Sequence, residues 1–383
     1  MRIGIFTDTF MPQINGVATS IEIFRKELIS LGHTVYVFAP KVNGYRDSSN
    51  NVYRFSSIPF VFQREYRIIF PYSIMFHKLH LLKLDIIHSQ TPFALGLLGL
   101  YLAGRTRTPL VYTHHTLLNE YVHYISLNQR ILREIERRWT RNYCNHCTLV
   151  LVPSPKTKDL LKDYGVNKEI TVVPTGIDLE SFDNNIGYGV RERYGLGKET
   201  KLLLYVGRLG KEKNLEFLLR SFRVVLREIR DVYLMIVGDG PERRNLHVLS
   251  KALGIDKNIA FCGYLPRNEV IQYYKAADLF VFSSMTETEG LSVLEAMAAG
   301  TPAVAINAMG ISDLFKDEKG VILCQFDVRA FSSAICEMLL CDTLRHKKAK
   351  DAQEKVEEIS SRKMTKALLE CYTKAKNKCI GDY

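Results

Sequence analysis

The sequence predicts an α/β fold built twice in tandem, each half a doubly wound parallel sheet. Three observations carry that expectation. The chain has 383 residues, about twice the usual length of a single domain. Short β-rich apolar runs alternate with helical patterns, the rhythm of parallel sheets covered by helices on both faces. That rhythm pauses once, at 179–200, where Asp183-Asn184-Asn185 and Gly187, Gly189, Gly195 and Gly197 make a polar connection. The expected organisation is an N-terminal domain over 1–185, a second domain over 186–360, and a C-terminal helix over 361–383 that crosses back to the first. Two such domains would face a central cleft at the carboxyl ends of their strands, where doubly wound folds bind ligands.

In the first half, Arg2–Phe6, Val35–Phe38, Asp85–His88, Leu110–Thr113 and Leu149–Val152 read as buried strands, and Thr171–Val173 closes the set. Ser20–Leu31 reads as a helix ended by Gly32. The second half repeats the pattern with strands at Lys201–Val206, Val232–Val237, Ile259–Cys262, Leu279–Phe282, Ala303–Ile306 and Val321–Leu323. The tail from Asp351 to Lys378 reads as one long charged amphipathic helix.

Hydrophobic residues make up 46% and charged residues 24%, an ordinary balance for a chain with a core. Met1-Arg2-Ile3-Gly4-Ile5-Phe6 has no basic leader before a long apolar stretch, so no secretory signal and an intracellular protein are expected. The longest apolar run, Phe93 to Ala103, is too short to span a bilayer. Cys144-Asn145-His146-Cys147 is the one tight cysteine cluster. It lacks a second ligand pair and reads as reduced thiols on a helix, not a zinc site. No metal or other cofactor is expected.

The net charge is +11, and its placement is informative. Residues 54–141 carry twelve Lys/Arg against five Asp/Glu, and six of the ten histidines. Within that stretch Phe62, Arg64, Arg67, Phe70, Tyr72, Phe76 and Lys78 interleave cations with bulky apolar groups. That mixture suits an anionic membrane surface. A solvated basic face over an ordinary core helix would read similarly. Nucleic acid is not expected, because no helix-turn-helix, finger or RNA-binding signature accompanies the charge.

Four segments carry candidate chemistry. Tyr205-Val206-Gly207-Arg208 through Lys213-Asn214 leaves a strand and opens a helix, gathering Arg208 and Lys213 where a diphosphate would meet a helix N-terminus. Glu287 lies in a strand-to-helix loop, and Glu295 about one turn into the following helix. Between them Gly290 and Leu291 offer amides to phosphate oxygens, and the two carboxylates suit sugar hydroxyls; ordinary acids on a surface helix are the plainer alternative. In the first half, Asn15-Gly16 permits close backbone approach to a ligand. His114 and His115 follow a strand end, where a histidine could orient a substrate or serve the core. Gly238-Asp239-Gly240 reads as a tight turn.

These segments, in order from Arg2 to about Ala305, resemble the retaining glycosyltransferases of family four, whose two Rossmann-like domains form the architecture called GT-B. The opening Asp8-Thr9-Phe10-Met11-Pro12-Gln13-Ile14-Asn15-Gly16-Val17 and Thr113-His114-His115-Thr116 with Tyr121 look most like the bacterial monoglycosyldiacylglycerol synthases. The resemblance implies a UDP-glucose or UDP-galactose donor, a diacylglycerol acceptor and a peripheral place on the cytoplasmic face of the membrane. It implies that Arg208 and Lys213 hold the diphosphate, Glu295 the ribose, and Glu287 the transferred hexose. Gly207, Thr288, Glu289, Gly290 and Leu291 would complete the donor side, with Gly16 approaching the phosphates and Tyr264-Leu265 facing the base. His115 would lie near the anomeric centre, although His114 stands where relatives often carry an aromatic. Retention is implied by the family alone.

No Asp-x-Asp motif occurs, so the Arg–Lys pair and helix dipole would take the place of a diphosphate-bound metal. The same chemistry on another lipid, such as phosphatidylinositol with GDP-mannose, is the nearest alternative reading. A nucleotide-sugar epimerase or a nucleotide-sugar sensor on the same scaffold is more distant. A dinucleotide oxidoreductase is disfavoured, because no Gly-x-Gly-x-x-Gly follows the first strand.

Overall fold

A computed structural model describes residues 1–13, 15–47, 49–59, 67–69, 79–115, 129–183 and 189–381. The chain divides into two compact units, Met1–Gly176 with Ser361–Tyr383, and Ile177–Ser360. The first division thus falls at 176, where the sequence reading had put it at 185.

The first unit holds a seven-stranded sheet. Its members are β1 (Arg2–Phe6), β2 (Thr34–Pro40), β3 (Val52–Phe55), β6 (Ile86–Ser89), β7 (Leu110–Thr113), β8 (Leu149–Val152) and β9 (Ile170–Val172), in the order β3-β2-β1-β6-β7-β8-β9. All pairings are parallel. β4 (Ser57–Pro59) and β5 (Arg67–Ile69) form a separate antiparallel pair. β3, β4 and β5 were not foreseen; they are short and carry no clear apolar period. The helices are α1 (Gly16–Ser30), α2 (Ala94–Thr106), α3 (Gln129–His146), α4 (Pro155–Asp163) and the C-terminal α14 (Ser361–Gly381).

Strand alternation divides the core between the two sheet faces. Ile3, Ile5, Ile86, Val111, Leu149 and Leu151 lie with Ile21, Phe24 and Leu28 of α1 and Leu368 and Tyr372 of α14. Phe6, Ile87, Leu110, Tyr112, Val150 and Val152 face Leu95, Leu98 and Leu102 of α2 and Tyr143 and Cys144 of α3. The C-terminal helix therefore completes one face of the first unit's core. Helix α1 begins at Gly16, four residues before the expected Ser20, because Asn15 caps it by accepting from the Ala18 amide at 2.9 Å.

The second unit holds β10 (Lys201–Val206), β11 (Val232–Val237), β12 (Ile259–Gly263), β13 (Leu279–Phe282), β14 (Ala303–Ile306) and β15 (Val321–Cys324), ordered β12-β11-β10-β13-β14-β15 and parallel throughout. Its helices are α5 (Glu180–Asp183), α6 (Val190–Arg193), α7 (Leu215–Glu228), α8 (Arg243–Ala252), α9 (Arg267–Ala276), α10 (Leu291–Ala298), α11 (Met309–Leu314), α12 (Val328–Leu340) and α13 (Asp342–Glu358).

Two expectations are corrected. The stretch 179–200 is not simply a polar connection: Arg191 in α6 donates to the carbonyls of Thr200 and Ala276 and pairs with Asp278 at 2.7 Å, fastening it to the second unit. The tail is two helices rather than one. α13 stops where the Ile359 carbonyl accepts from the Ile177 amide at 2.9 Å and Ser360 bridges Ile177. α14 then begins at Ser361, whose hydroxyl donates to Glu27 of α1 at 2.6 Å. Among the described residues, no helix is long and apolar enough to cross a membrane.

Candidate active site

In the second unit the strand order reverses between β10 and β13, which run side by side but lead to opposite edges of the sheet. Loops leaving two such strands splay apart and open a crevice, the usual ligand position in doubly wound sheets. The loop after β10 carries Gly207, Arg208 and a 3₁₀ turn at Lys211–Lys213. The loop after β13 runs from Ser283 to Gly290.

Hydroxyls join the two loops. Ser283 Oγ donates to the Lys213 carbonyl at 2.7 Å and Ser284 Oγ to the Glu212 carbonyl at 3.3 Å. The Lys213 ammonium then donates to Glu287 Oε1, a pair mostly withdrawn from solvent. Burial opposes the charge on Lys213, but the carboxylate beside it more than offsets burial and raises the ammonium above the usual lysine range. Arg208 lies 3.6 Å from Glu212. The structure thus brings three of the expected residues, Arg208, Lys213 and Glu287, to one end of one sheet.

α10 opens beside them. Gly290 stands at its N-cap with φ +70°, and no side chain caps the helix. A Cβ at Gly290 would come within 2.1 Å of Ile311 Cδ1. The first turn of α11 closes on the same segment: the Gly310 amide donates to the Glu287 carbonyl at 2.9 Å. A Cβ there would meet the Thr288 carbonyl oxygen at 1.8 Å. Thr288, Glu289 and Leu291 frame this helix start, and its uncapped amides favour an anion.

Farther along α10, Glu295 accepts from Arg267 at 2.7 Å and from the Tyr274 hydroxyl at 3.1 Å, both from α9. Glu295 is therefore held by partners that sequence reasoning missed. Tyr264 is exposed and Leu265 partly so, on the loop after β12. Gly238 packs against Gly207, and Asp239 accepts from Arg243 at 2.9 Å and gives its carbonyl to Leu209. The Gly-Asp-Gly turn braces the Arg208 loop from behind.

In the first unit the reversal falls between β1 and β6. Asp8, just past β1, accepts from Leu95 at 3.1 Å and from Thr91, closing the start of α2. Burial pushes its pKa up to about 6 against those donors. Asn15 also donates to Thr9 Oγ1 at 2.7 Å, fixing the loop before the exposed Gly16.

Of the two histidines, His114 is buried against the Tyr112 hydroxyl at 3.0 Å, and burial pushes its pKa down to about 4. His115 is only partly buried, and its Nε2 lies 2.5 Å from Gln90 Oε1. Burial, then His114, brings its pKa down to about 3. Gln90 Nε2 reaches His88 Nε2 at 3.1 Å, and His88 Nδ1 meets the Tyr372 hydroxyl of α14 at 2.6 Å. An amide oxygen only accepts and an amide NH₂ only donates. His115 therefore carries its proton on Nε2 and His88 on Nδ1. Sequence reasoning did not find this chain, which joins residues 284 positions apart.

Arg67 is the one member of the expected membrane segment within the described residues. Its guanidinium is committed to Ser57, at 2.7 Å to the hydroxyl and 3.1 Å to the carbonyl. Phe62, Arg64, Phe70, Tyr72, Phe76, Lys78 and Tyr121 lie outside the described residues. Cys144 and Cys147 point into the core, while His146 turns away to the Asn142 carbonyl at 2.7 Å.

The chain thus comprises two doubly wound units, the second with cations and an uncapped helix start gathered at a strand-order reversal, a place suited to an anionic ligand. Comparison with known proteins is specific. The chain belongs to the family-four glycosyltransferases of GT-B fold: residues 14–181 match the family model Glycosyltransferase Family 4, and residues 190–355 match Glycosyl transferases group 1. It is 36% identical to the alpha-monoglucosyldiacylglycerol synthase of Streptococcus pneumoniae, over 98% of this chain and 86% of that one. The enzyme of the same name from Acholeplasma laidlawii is 31% identical over 79% of this chain and 80% of its own. Among solved structures, Anabaena HepE in complex with UDP and glucose superposes with a TM-score of 0.78 at 18% identity. That match covers 98% of this chain and 100% of HepE, a likeness of fold.

Proposed function

We propose that this glycosyltransferase moves a hexose from UDP-glucose or UDP-galactose to 1,2-diacylglycerol with retention of configuration. It would work as a peripheral protein on the cytoplasmic face of the membrane, without a divalent metal. The observation that carries the reading is the Lys213–Glu287 pair beside the uncapped start of α10 at the β10/β13 reversal. The acceptor is suggested by the two alpha-monoglucosyldiacylglycerol synthases described above.

In this reading Arg208, Lys213 and the α10 amides take the diphosphate, while Glu287 binds hexose hydroxyls. Glu295, pre-set by Arg267 and Tyr274, binds the ribose. The bond from C1 of the sugar to the β-phosphate oxygen breaks, its electron pair leaving on UDP. The acceptor hydroxyl oxygen bonds C1 from the same face, and its proton passes to the departing phosphate oxygen. Preorganised cations at that oxygen stabilise the charge as it develops. A covalent intermediate on Glu287 is disfavoured, because the role of that carboxylate in this reading is to bind hexose hydroxyls.

Radiolabelled UDP-glucose, UDP-galactose or GDP-mannose is offered with mixed micelles of diacylglycerol and an anionic lipid, with a chelator present. Label in the lipid fraction from one UDP-sugar is the expected result and names the donor. Label from GDP-mannose alone, or none with any donor, overturns the assignment. Activity that appears only when a divalent ion replaces the chelator overturns metal independence.

A further inference from the structure

The first unit carries a second feature that the candidate site does not use. α2 is apolar nearly all round, and a helix of that composition is ordinarily buried. Its outward stripe, Phe93, Leu97 and Tyr101 at four-residue spacing, is nevertheless exposed. α3 presents a matching stripe of Ile131, Ile135 and Trp139, with Ile131 59% exposed. The two stripes are neighbours. Trp139 Nε1 donates to the Pro92 carbonyl at 3.2 Å, and Tyr143 to the Gly96 carbonyl at 2.9 Å. Six large apolar side chains facing outward on adjoining helices exceed the scattered singles of an ordinary surface.

The charge beside them is one-sided. Arg130, Arg133, Arg137, Arg138 and Arg141 are exposed along α3. Of its two acids, Glu136 is buried, and Glu134 is shared between Arg137 and Arg138. Apolar side chains flanked by arginines on one amphipathic helix match the boundary between anionic headgroups and acyl chains. A second copy of this chain fits less well, because five like charges would then face five more.

We infer that the α2–α3 face is the surface by which this chain docks on an anionic bilayer. Phe93, Leu97, Tyr101, Ile131, Ile135 and Trp139 enter the acyl boundary, and the α3 arginines contact lipid phosphates. The inference rests on the lipid-acceptor reading and deepens it, adding a face on two described helices to the membrane residues expected from the sequence, most of which lie outside the described residues. Exposed aromatic and aliphatic groups on rigid helices would bring the unit to its acceptor at a fixed depth.

Trp139 is the only tryptophan in the chain, so the surface carries its own reporter. The full-length protein is mixed with vesicles of phosphatidylglycerol and phosphatidylcholine, or of phosphatidylcholine alone, without any sugar donor. A blue shift of tryptophan emission and co-sedimentation with the anionic vesicles are expected. The Ile131→Ser/Ile135→Ser variant is expected to lose roughly tenfold or more in vesicle affinity while UDP binding is unchanged. Sedimentation without a blue shift would place contact elsewhere and overturn the proposal, as would a double variant that binds as wild type. A concentration-dependent rise in mass without lipid, abolished by the double variant, would assign the face to self-association instead. Because no transfer is measured, failure of the diacylglycerol assignment would leave these readouts intact and be separately visible.

Discussion

Gln90 Oε1 accepts from His115 Nε2 at 2.5 Å, and through Gln90 that histidine is joined to His88 and to Tyr372 of the C-terminal helix. Replacing Gln90 by Glu puts a carboxylate where the amide oxygen was. That favours the imidazolium and raises the pKa of His115 from about 3 toward neutrality. Transfer by Gln90→Glu is then expected to fall as pH drops from 8 to 6, while wild type stays flat over that range. Gln90→Leu, which removes the anchor without adding charge, is expected to lower kcat about tenfold to a hundredfold at every pH. A pH–rate profile of the three proteins checks this; superimposable profiles would show that His115 is not engaged in the rate-limiting step.

The pairing of Lys213 with Glu287 separates phosphate binding from sugar handling. Without donor, the carboxylate occupies the ammonium. Glu287→Gln removes that competitor and is expected to tighten binding of UDP alone, while transfer falls about a hundredfold or more for loss of the sugar contact. Lys213→Ala is expected to weaken UDP and to cost roughly two to three orders of magnitude in kcat. Calorimetric titration with UDP, set beside the transfer rate, reads both. Opposite movement of the two quantities in Glu287→Gln is the signature; parallel loss would mean the carboxylate serves only to hold Lys213 in place.

Much of this was legible in the chain, and the divide has a physical cause. Strands β10 to β15 and the segment from Glu287 to Glu295 could be read directly, because their signals are local: apolar runs, then a glycine and a small-residue helix. The break between α13 and α14 was not legible. The amphipathic pattern runs on through Ile359, and a hydrogen bond from distant Ile177 ends the helix. Gln90, Arg267, Tyr274 and Gly310 were missed for the same reason, since each meets its partner only after the sheet is assembled. The outward stripes of α2 and α3 were hidden differently. An apolar residue in sequence does not say which way it faces, and only the structure shows these to be exposed.

Gly310 and Gly290 make the donor loop sensitive in two distinguishable ways. In Gly310→Ala the new Cβ meets a backbone oxygen, that of Thr288, so no side chain can yield. The loop must shift, and UDP affinity is expected to fall at least about tenfold with the sheet intact. In Gly290→Ala the obstacle is the end of the Ile311 side chain. Adding Ile311→Ala is expected to recover part of the loss, leaving about 1 kcal/mol for a non-glycine residue at φ +70°. Thermal denaturation with and without UDP compares the two; rescue of Gly310→Ala by Ile311→Ala would contradict the assignment of the clash.

Acid should loosen the first unit, and the sign follows from the direction of each shift. Burial brings the pKa values of His88, His114 and His115 down to about 3, about 4 and about 3. The unfolded chain takes up protons below about pH 6.5 while the fold refuses them, so stability present above that pH is lost as pH falls toward the folded values. Between pH 7 and 5 each contributes a loss of about 2 kcal/mol. Asp8 works the other way. Its pKa is raised to about 6, so its contribution is fullest below the ordinary carboxylate range and is lost as pH rises through 6. It returns about 1 kcal/mol over the same interval, leaving a net loss of about 5 kcal/mol from the three histidines and Asp8. Urea unfolding followed by Trp139 emission, which lies in the first unit, measures it at both pH values. His114→Gln cannot charge and keeps a polar group beside Tyr112, so about 2 kcal/mol of the pH dependence is expected to vanish in it. A wild-type midpoint that is the same at pH 7 and pH 5 would mean that these histidines take up their protons inside the folded unit.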